Sequence, residues 1–561
     1  MHNLHTENFY DQIQLGKKKI QGRFVIPSGI RCAHASSIEK YFSMESIGII
    51  TTKSISVAPK EGYKEPLYIK YGENSYMNAV GLANPGAQAF REELSGISVP
   101  QNKFLLVSIF GGDWEEFSRV ANLLRDVADG FELNMSCPHA KGYGLQIGND
   151  PAQVALITKM VVQSVDLPVF VKLSASVPNL AQTAGIAVEN GAAGITITNT
   201  VGPGIESIDG KPVLSNGAGG LSGEAIRPLG IKVLRDIRSV VGREIPIIGM
   251  GGIFNADHVK SYHAAGADFF GIGSALTNLS TEEAAQYLQS VQNDLIHNCK
   301  SNWVTPPPVR NMDYQPCVVE QNTALTDTLH KIKISPWANY EQNRNVAGKF
   351  FFLMIPGTGE KPFALYSHND REFIVKNVGV FTRALTRLAP GDTLYLRGPY
   401  GHALPAFSGA DINFVAGGTG LSPVYEMARK YRESNPIRFF LGGKTADDLF
   451  DLDRFKALGE VHAATEDGST GDKGFVSDVL NRYNFNGKQI FINVGPRPMI
   501  EACGHIEQTL TDEIWVAIEY HTSCGVGICG KCATESGLLS CVDGPFLRWT
   551  DALRIKECEH Q

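Results

Sequence analysis

Four cysteines stand close together near the C-terminus, Cys524, Cys529, Cys532 and Cys541, within HTSCGVGICGKCATESGLLSCVDGP. The first three have the C-x4-C-x2-C spacing that wraps a chain around a plant-type [2Fe-2S] cluster, with a fourth thiolate arriving from a later turn. Glycines at 525, 527 and 530 free the backbone to curl and to aim amide N–H groups at the sulfides, which a β-carbon would obstruct. One-electron chemistry is the reading of this pattern. A structural zinc site usually shows two separated C-x2-C knuckles and a disulfide pair suits a secreted chain, so both rivals fit the spacing less well.

Other chemistry-bearing residues fall in the first half. Cys137, in ELNMSCPHAKGYG, follows Asn134 and Ser136 and precedes Pro138, which starts a glycine-bearing loop. Buried free cysteine is commonly inert core filler. At a strand end, among hydrogen-bonding side chains, a thiolate serves as a general base. Lys172 closes the apolar run PVFVK. A lysine directed into a barrel mouth needs an anionic partner, either the N1–C2=O edge of a reduced flavin or a structural ion pair. Asn78, Asn134, Asn199 and Thr200 carry the donors and acceptors that match the amide edges of a small polar heterocycle. Gly251-Gly252 and Gly273-Ser274 end two successive apolar runs. Glycine there either permits a tight turn or opens backbone N–H groups to a phosphate, and its repetition favours a phosphate such as that of FMN.

These residues need elements to position them. Up to residue 300, eight strand-like runs (FVIPSG, IGIITTKS, FLLVSIFG, FELNMSCP, PVFVKLS, GITITNT, PIIGMGGI and FFGIGSAL) alternate with helix-period segments such as PAQVALITKMVVQSV. That alternation predicts an α/β chain beginning with a (β/α)8 TIM barrel, whose chemistry sits at the C-terminal ends of its strands. Three successive prolines in SNWVTPPPVR, residues 301–310, predict an extended linker. Beyond it, short strands and turns precede βα units. In NFVAGGTGLSPVYEMARK, Gly417, Gly418 and Gly420 lie between a strand and a helix, where a pyrophosphate approaches a helix N-terminus.

Composition narrows the class. A chain of 561 residues is too long for one core, and three or four domains are expected. Hydrophobic content of 43% and charged content of 19% are ordinary for a soluble protein. A formal net charge of -7 offers no broad basic surface, so nucleic acid is not an expected partner. The six other cysteines are scattered without a disulfide framework, no run approaches a membrane span, and the N-terminal segment lacks the apolar core of a signal peptide. The expectation is a cytosolic enzyme with no membrane attachment.

The segments KYGENSYMNAVGLANPG, ELNMSCPHAKGYG, VFVKLS, ITNTVGPG, GGLSGEAIRPLG and IIGMGGI resemble class 1 dihydroorotate dehydrogenase over the first 300 residues. The resemblance implies an FMN that takes hydride from C6 of (S)-dihydroorotate while Cys137 removes the C5 proton. It implies Asn78, Asn134, Asn199 and Thr200 as substrate ligands, and Gly81 and Leu82 of the NAVGL turn as the seat of the carboxylate. Lys53, Lys172, Gly223, Gly251, Gly252, Gly273 and Ser274 are the implied FMN contacts. Many members read SCPN where this chain reads SCPH; His139 is similar to archaeal-type members and also to dihydropyrimidine dehydrogenases. Uracil or thymine chemistry is therefore the alternative, and the NAVGL turn speaks against it.

After the linker, KFFFLMIPG and GEKPFALYSHND resemble the flavin β-barrel of the ferredoxin reductase superfamily. Lys361-Pro362-Phe363-Ala364 stands where that superfamily has Arg-Pro-aromatic-Ser, and with VGVFTRAL and LRGPYGHAL it implies FAD. FFLGGKTADDLF and FINVGPRPMI follow in family order, the second similar to the run beside the nicotinamide. Asp447 and Asp448 would repel the extra phosphate of NADP, which favours NAD. From about residue 307 the chain resembles the electron-transfer subunit of NAD-dependent dihydroorotate dehydrogenase. The implied organisation is an FMN barrel (1–300), a linker (301–310), an FAD-binding β-barrel (311–405), an NAD-binding α/β domain (406–510) and a [2Fe-2S] domain (511–561). Electrons would pass from FMN through the cluster to FAD and NAD+. Dihydroorotate, orotate and NAD are the expected partners, and a homodimer or higher homo-oligomer through the barrel is the expected assembly.

Overall fold

The computed structural model describes residues 12–136, 145–297, 305–306, 309, 311–338, 340–341, 345–518 and 521–553. The chain divides into two units, Met1–Arg310 with Val526–Ala533, and Asn311–Gly525 with Thr534–Gln561.

In the first unit eight parallel strands close into a barrel in chain order. They are β1 (Phe24–Ile26), β2 (Ile47–Thr51), β3 (Phe104–Ile109), β4 (Gly130–Asn134), β5 (Val169–Ser174), β6 (Gly194–Asn199), β7 (Ile247–Met250) and β8 (Phe269–Gly271). Each coincides with one of the eight runs read from the sequence, β4 starting one residue before its run. Strands buried on both faces read as near-continuous apolar runs, which is why they were legible. Helices α1 (Ala35–Phe42), α2 (Ala87–Leu94), α3 (Trp114–Leu124), α4 (Pro151–Ser164), α5 (Leu180–Glu189), α6 (Arg227–Val241), α7 (Ala256–Ala265) and α8 (Thr281–His297) alternate with them. Local signals mark the starts of some of them. Asp113 accepts from the Glu116 N–H at the head of α3, and Asp150 caps α4 just before Pro151.

Inside the barrel, Val25, Ile49, Leu106, Phe170, Ile248 and Phe269 meet Leu15 and Ile20 of an N-terminal hairpin in one apolar core. Burial of each such side chain contributes roughly 1.5–3 kcal/mol. This core packs the barrel on the side of the hairpin, and polar residues, the buried Glu132 and Ser108 among them, lie toward the C-terminal strand ends. A four-stranded sheet follows the order Val201–Gly204, Gly219–Gly223, Ser75–Asn78, Tyr68–Gly72; its central register sets Gly220 opposite Asn78 and Gly223 opposite Ser75.

The second unit holds a closed six-stranded barrel of antiparallel pairs: β9 (Gln315–Ala324), β10 (Leu329–Ile334), β11 (Phe350–Ile355), β12 (Gly359–Ser367), β13 (Glu372–Lys376) and β14 (Thr393–Tyr400). It is followed by a seven-stranded sheet of β15 (Asp411–Gly417), β16 (Ile437–Gly443), β17 (Glu460–Thr465), β18 (Asp472–Lys473), β19 (Gln489–Gly495), β20 (Ile514–Ile518) and β21 (Leu547–Arg548). All neighbours in this sheet are parallel except β20 and β21. The segment 511–561, expected as a domain of its own, thus supplies two strands to this sheet, while its residues 526–533 belong with the first unit. No described helix is long and apolar enough to cross a membrane.

Candidate active site

The C-terminal ends of the first barrel's strands surround a cavity of about 220 Å³. A single buried water needs only roughly 10–15 Å³, so the space is many times that of one water. Lys53, Asn78, Gly81, Leu82, Asn134, Lys172, Asn199, Thr200, Gly223, Gly251, Gly252, Gly273 and Ser274 all line it. These residues were nominated from separate motifs, and the topology gathers them into one place. Cys137 and His139 lie outside the described residues.

A hydrogen-bonded network fixes the polar wall. Asn134, the last residue of β4, donates through Nδ2 to Ser54 Oγ at 2.8 Å, and its Oδ1 accepts from Ser136 Oγ at 3.0 Å. Asn199 donates to the same Ser136 Oγ at 2.8 Å while its Oδ1 accepts from the Thr200 N–H at 2.8 Å. The two amides are therefore oriented relative to each other. Each keeps hydrogen-bonding capacity for a ligand, since an amide carries two donors and two lone pairs. Lys172 is buried, and its Nζ lies 3.4 Å from the buried Glu132 carboxylate. It has both the cavity face and the ion pair that the sequence offered as alternatives. Burial lowers the Lys53 ammonium below its ordinary value; Glu93 and Cys529 oppose that shift, and Lys531 adds to it.

Backbone shape supplies the remaining features. Gly252 has φ +71°, and a β-carbon there would lie 2.6 Å from the Gly223 carbonyl oxygen. A larger residue cannot occupy this turn without moving the facing wall. Gly81 and Leu82 take successive left-handed conformations, φ +77° and +57°, the second uncommon for a residue with a side chain. Turns of this kind can aim consecutive N–H groups at an anion. The glycine cradle, the buried Lys172, the half-buried Lys53 and the room available fit FMN.

Sequence reasoning did not place Ile528, Cys529 and Lys531 in this cavity, yet they line it. Their loop is held by backbone bonds from the Arg31 N–H to the Ile528 carbonyl (2.7 Å) and from the Asn278 N–H to the Val526 carbonyl (2.8 Å). Gly530, at φ +68°, passes so close that a β-carbon would sit 2.5 Å from the Arg31 carbonyl oxygen. Cys529 and Cys532 lie in the first unit, Cys524 and Cys541 in the second. Among the described residues no group of three or more His, Cys, Asp and Glu side chains is gathered as a metal site, so the quartet rests on its spacing and its left-handed glycines.

In the second unit, Pro362 and Phe363 of β12 line a cavity with Phe350, Val494, Ala517, Thr522 and Phe546. Lys361 is not part of that lining. Gly418 lines a separate cavity with Thr419, Lys376, Asp447 and Asp448. An added β-carbon at Gly417 would meet Met499, and one at Gly420 the Val494 carbonyl. Asp448 pairs with Lys376 at 3.1 Å and accepts from the Lys444 N–H at 3.0 Å. Burial would raise its carboxyl, but these partners hold it below the usual value.

One chain thus carries a (β/α)8 barrel with a cavity at its strand ends and a mostly parallel sheet of the kind that binds dinucleotides, an architecture that fits an oxidoreductase. Residues 12–295 match the dihydroorotate dehydrogenase family and residues 414–505 match the oxidoreductase NAD-binding domain. The catalytic subunit of dihydroorotate dehydrogenase B (NAD(+)) of Methanocella arvoryzae is 41% identical over 253 residues, 45% of this chain and 82% of that protein. The subunits of the same name from Methanocaldococcus jannaschii (39% over 256 residues; 45% and 82%) and Thermoplasma volcanium (37% over 259 residues; 46% and 84%) are similar to the same extent. The chain belongs to the dihydroorotate dehydrogenase family, and it carries the NAD-binding domain on the same polypeptide.

Proposed function

We propose that this enzyme oxidises (S)-dihydroorotate to orotate, a step of pyrimidine (UMP) biosynthesis, and delivers the electrons through FMN, a [2Fe-2S] cluster and FAD to NAD+. The observation that carries the reading is the single cavity where Asn78, Asn134 and Asn199 meet Lys53, Lys172 and the glycine cradle. Bound there, FMN would supply the two-electron acceptor, while the cluster and FAD would convert between one- and two-electron chemistry on the way to NAD+.

The chain's own residues perform the rest. Gly251, Gly252, Gly273 and Ser274 would hold the flavin phosphate through backbone N–H groups, with Gly223 forming the facing wall. Lys172 and Lys53 would bind the electron-rich edge of the ring. The three asparagines and Thr200 would orient the amide edges of the pyrimidine, and the Gly81-Leu82 turn would take its carboxylate. The thiol of Cys137 would remove the C5 proton. Cys524, Cys529, Cys532 and Cys541 would ligate the cluster, and Cys529 also lines the barrel cavity. Pro362 and Phe363 would flank FAD, and Gly418 with Asp447 would meet NAD without a 2′-phosphate.

The test offers the purified protein dihydroorotate, dihydrouracil and dihydrothymine, each with NAD+ or NADP+, and follows the flavin spectrum. Bleaching by dihydroorotate with NADH formation is expected. Bleaching by dihydrouracil alone would replace the substrate with a plain dihydropyrimidine.

A further inference from the structure

We infer that Glu132 is the positioning residue that holds and tempers Lys172 in the barrel cavity and couples it to the substrate-facing Asn134. The inference rests on the reading of that cavity as the FMN site.

A buried ammonium needs a counter-charge within reach. Glu132 provides it, with Oε1 3.4 Å from Lys172 Nζ. That separation exceeds the roughly 2.7–2.9 Å of a fully formed charge-assisted bond, so the cation is held without being saturated. An ammonium has three donors, and Lys172 lines the cavity, which leaves N–H directions for a ligand there.

The placement follows from the barrel's period of two. Glu132 and Asn134 lie two residues apart on β4 and share one face, and Asn134 stands opposite Lys172 of β5 in the register. Glu132 therefore forms the layer beneath Asn134. From its Oε1 a chain of hydrogen bonds runs upward: Ser108 Oγ donates to it at 3.2 Å, Ser108 and Ser54 hydroxyls lie 2.9 Å apart, and Asn134 Nδ2 donates to Ser54 Oγ at 2.8 Å. The second carboxylate oxygen, Oε2, is buried with no hydrogen-bond partner among the described residues. A carboxylate so enclosed costs desolvation that its ion pair does not reliably repay, which argues for a positional role over a stabilising one.

The experiment uses the full-length flavin-loaded protein and a spectral titration against a reference dye, with the variants Glu132→Gln, Lys172→Met and the double variant. The FMN transition is the one that Lys172→Met displaces. Glutamine keeps the volume and the Ser108 bond but removes the counter-charge, so the full charge of Lys172 acts on the ligand. A shift of about tenfold toward reduced flavin is expected, about 30 mV for a two-electron couple. In the Lys172→Met background Glu132 has no ammonium to hold, so adding Glu132→Gln should change the ratio less than about twofold. Equal shifts in both backgrounds, or none in either, overturn the inference. If Glu132→Gln alone does not fold, the double variant against Lys172→Met decides, and a difference above about threefold overturns it. A wild-type protein free of FMN would instead sink the cavity reading, and this inference with it.

Discussion

Replacing Gly252 with alanine should cost the enzyme its FMN for a reason that one control isolates. Gly252 sits at φ +71°, where an added β-carbon would lie 2.6 Å from the Gly223 carbonyl oxygen and 3.0 Å from Glu224 Cα. The left-handed conformation alone costs an alanine roughly 1–2 kcal/mol. The contact adds a second cost, because backbone atoms cannot rotate away and the segment that carries Gly223 must shift. Gly217 separates the two effects: its φ is +81°, yet an added β-carbon meets nothing within 4 Å. Gly217→Ala should therefore lose about 1–2 kcal/mol of stability and keep its flavin. Gly252→Ala should lose more than that and also bind FMN at least about tenfold more weakly, about 1.4 kcal/mol. Thermal denaturation measures the first quantity, and the recovery of flavin fluorescence on dilution measures the second. Equal FMN affinity in the two variants would refute the assignment of the Gly252 backbone to the phosphate.

Cys137→Ser should bind FMN yet lose roughly a hundredfold or more in dihydroorotate oxidation near neutral pH, since a serine hydroxyl is a far poorer base; undiminished flavin bleaching in stopped flow would remove Cys137 from the chemistry. Cys529→Ser or Cys532→Ser should stop NAD+ reduction while dihydroorotate still bleaches flavin in a single turnover, and equal NADH formation without a cluster would show the relay to be unnecessary. His139→Asn should keep its preference for dihydroorotate over dihydrouracil in kcat/KM, because a carboxylate bound by backbone N–H groups outweighs one neutral hydrogen bond by about twofold; reversal would make His139 the selector. Burial pushes the Glu507 carboxyl up to about 8, although the Asn493 amide donates to it at 2.7 Å. The folded chain then holds a proton that the unfolded chain releases near pH 4.5, so this group's contribution to stability is full below that pH and declines up to about 8. Glu507→Gln should flatten the decline in Tm between pH 5.5 and 8; parallel curves for the two proteins would count against it.

The strands and the strand-end residues were legible because they depend on local pattern. A parallel barrel strand is apolar on both faces, so Lys172 at the end of PVFVK and Asn134 at the end of FELN stand out as interruptions. Glu132 interrupts the same run, and its charge inside an apolar strand was a signal left unread. Lys361 is a different case. Its motif suggests a place beside a flavin, while the cavity lining on β12 is Pro362, Phe363 and Ala364, three successive residues that strand alternation does not select.

The loop at 526–533 was illegible for a different reason. It docks through groups that every residue possesses, the N–H of Arg31 and Asn278 and the carbonyls of Ile528 and Val526, and through the missing side chain of Gly530. Backbone bonds leave no residue-type signature, and the partners lie hundreds of positions apart in the sequence. Gly530 was the one visible trace, and spacing assigned it wholly to the sulfides. The structure gives it a second duty, since its hydrogen faces the Arg31 carbonyl at a distance no β-carbon tolerates. A glycine in a ligand loop can thus report the approach of another segment as readily as it reports the ligand, and only the fold distinguishes the two.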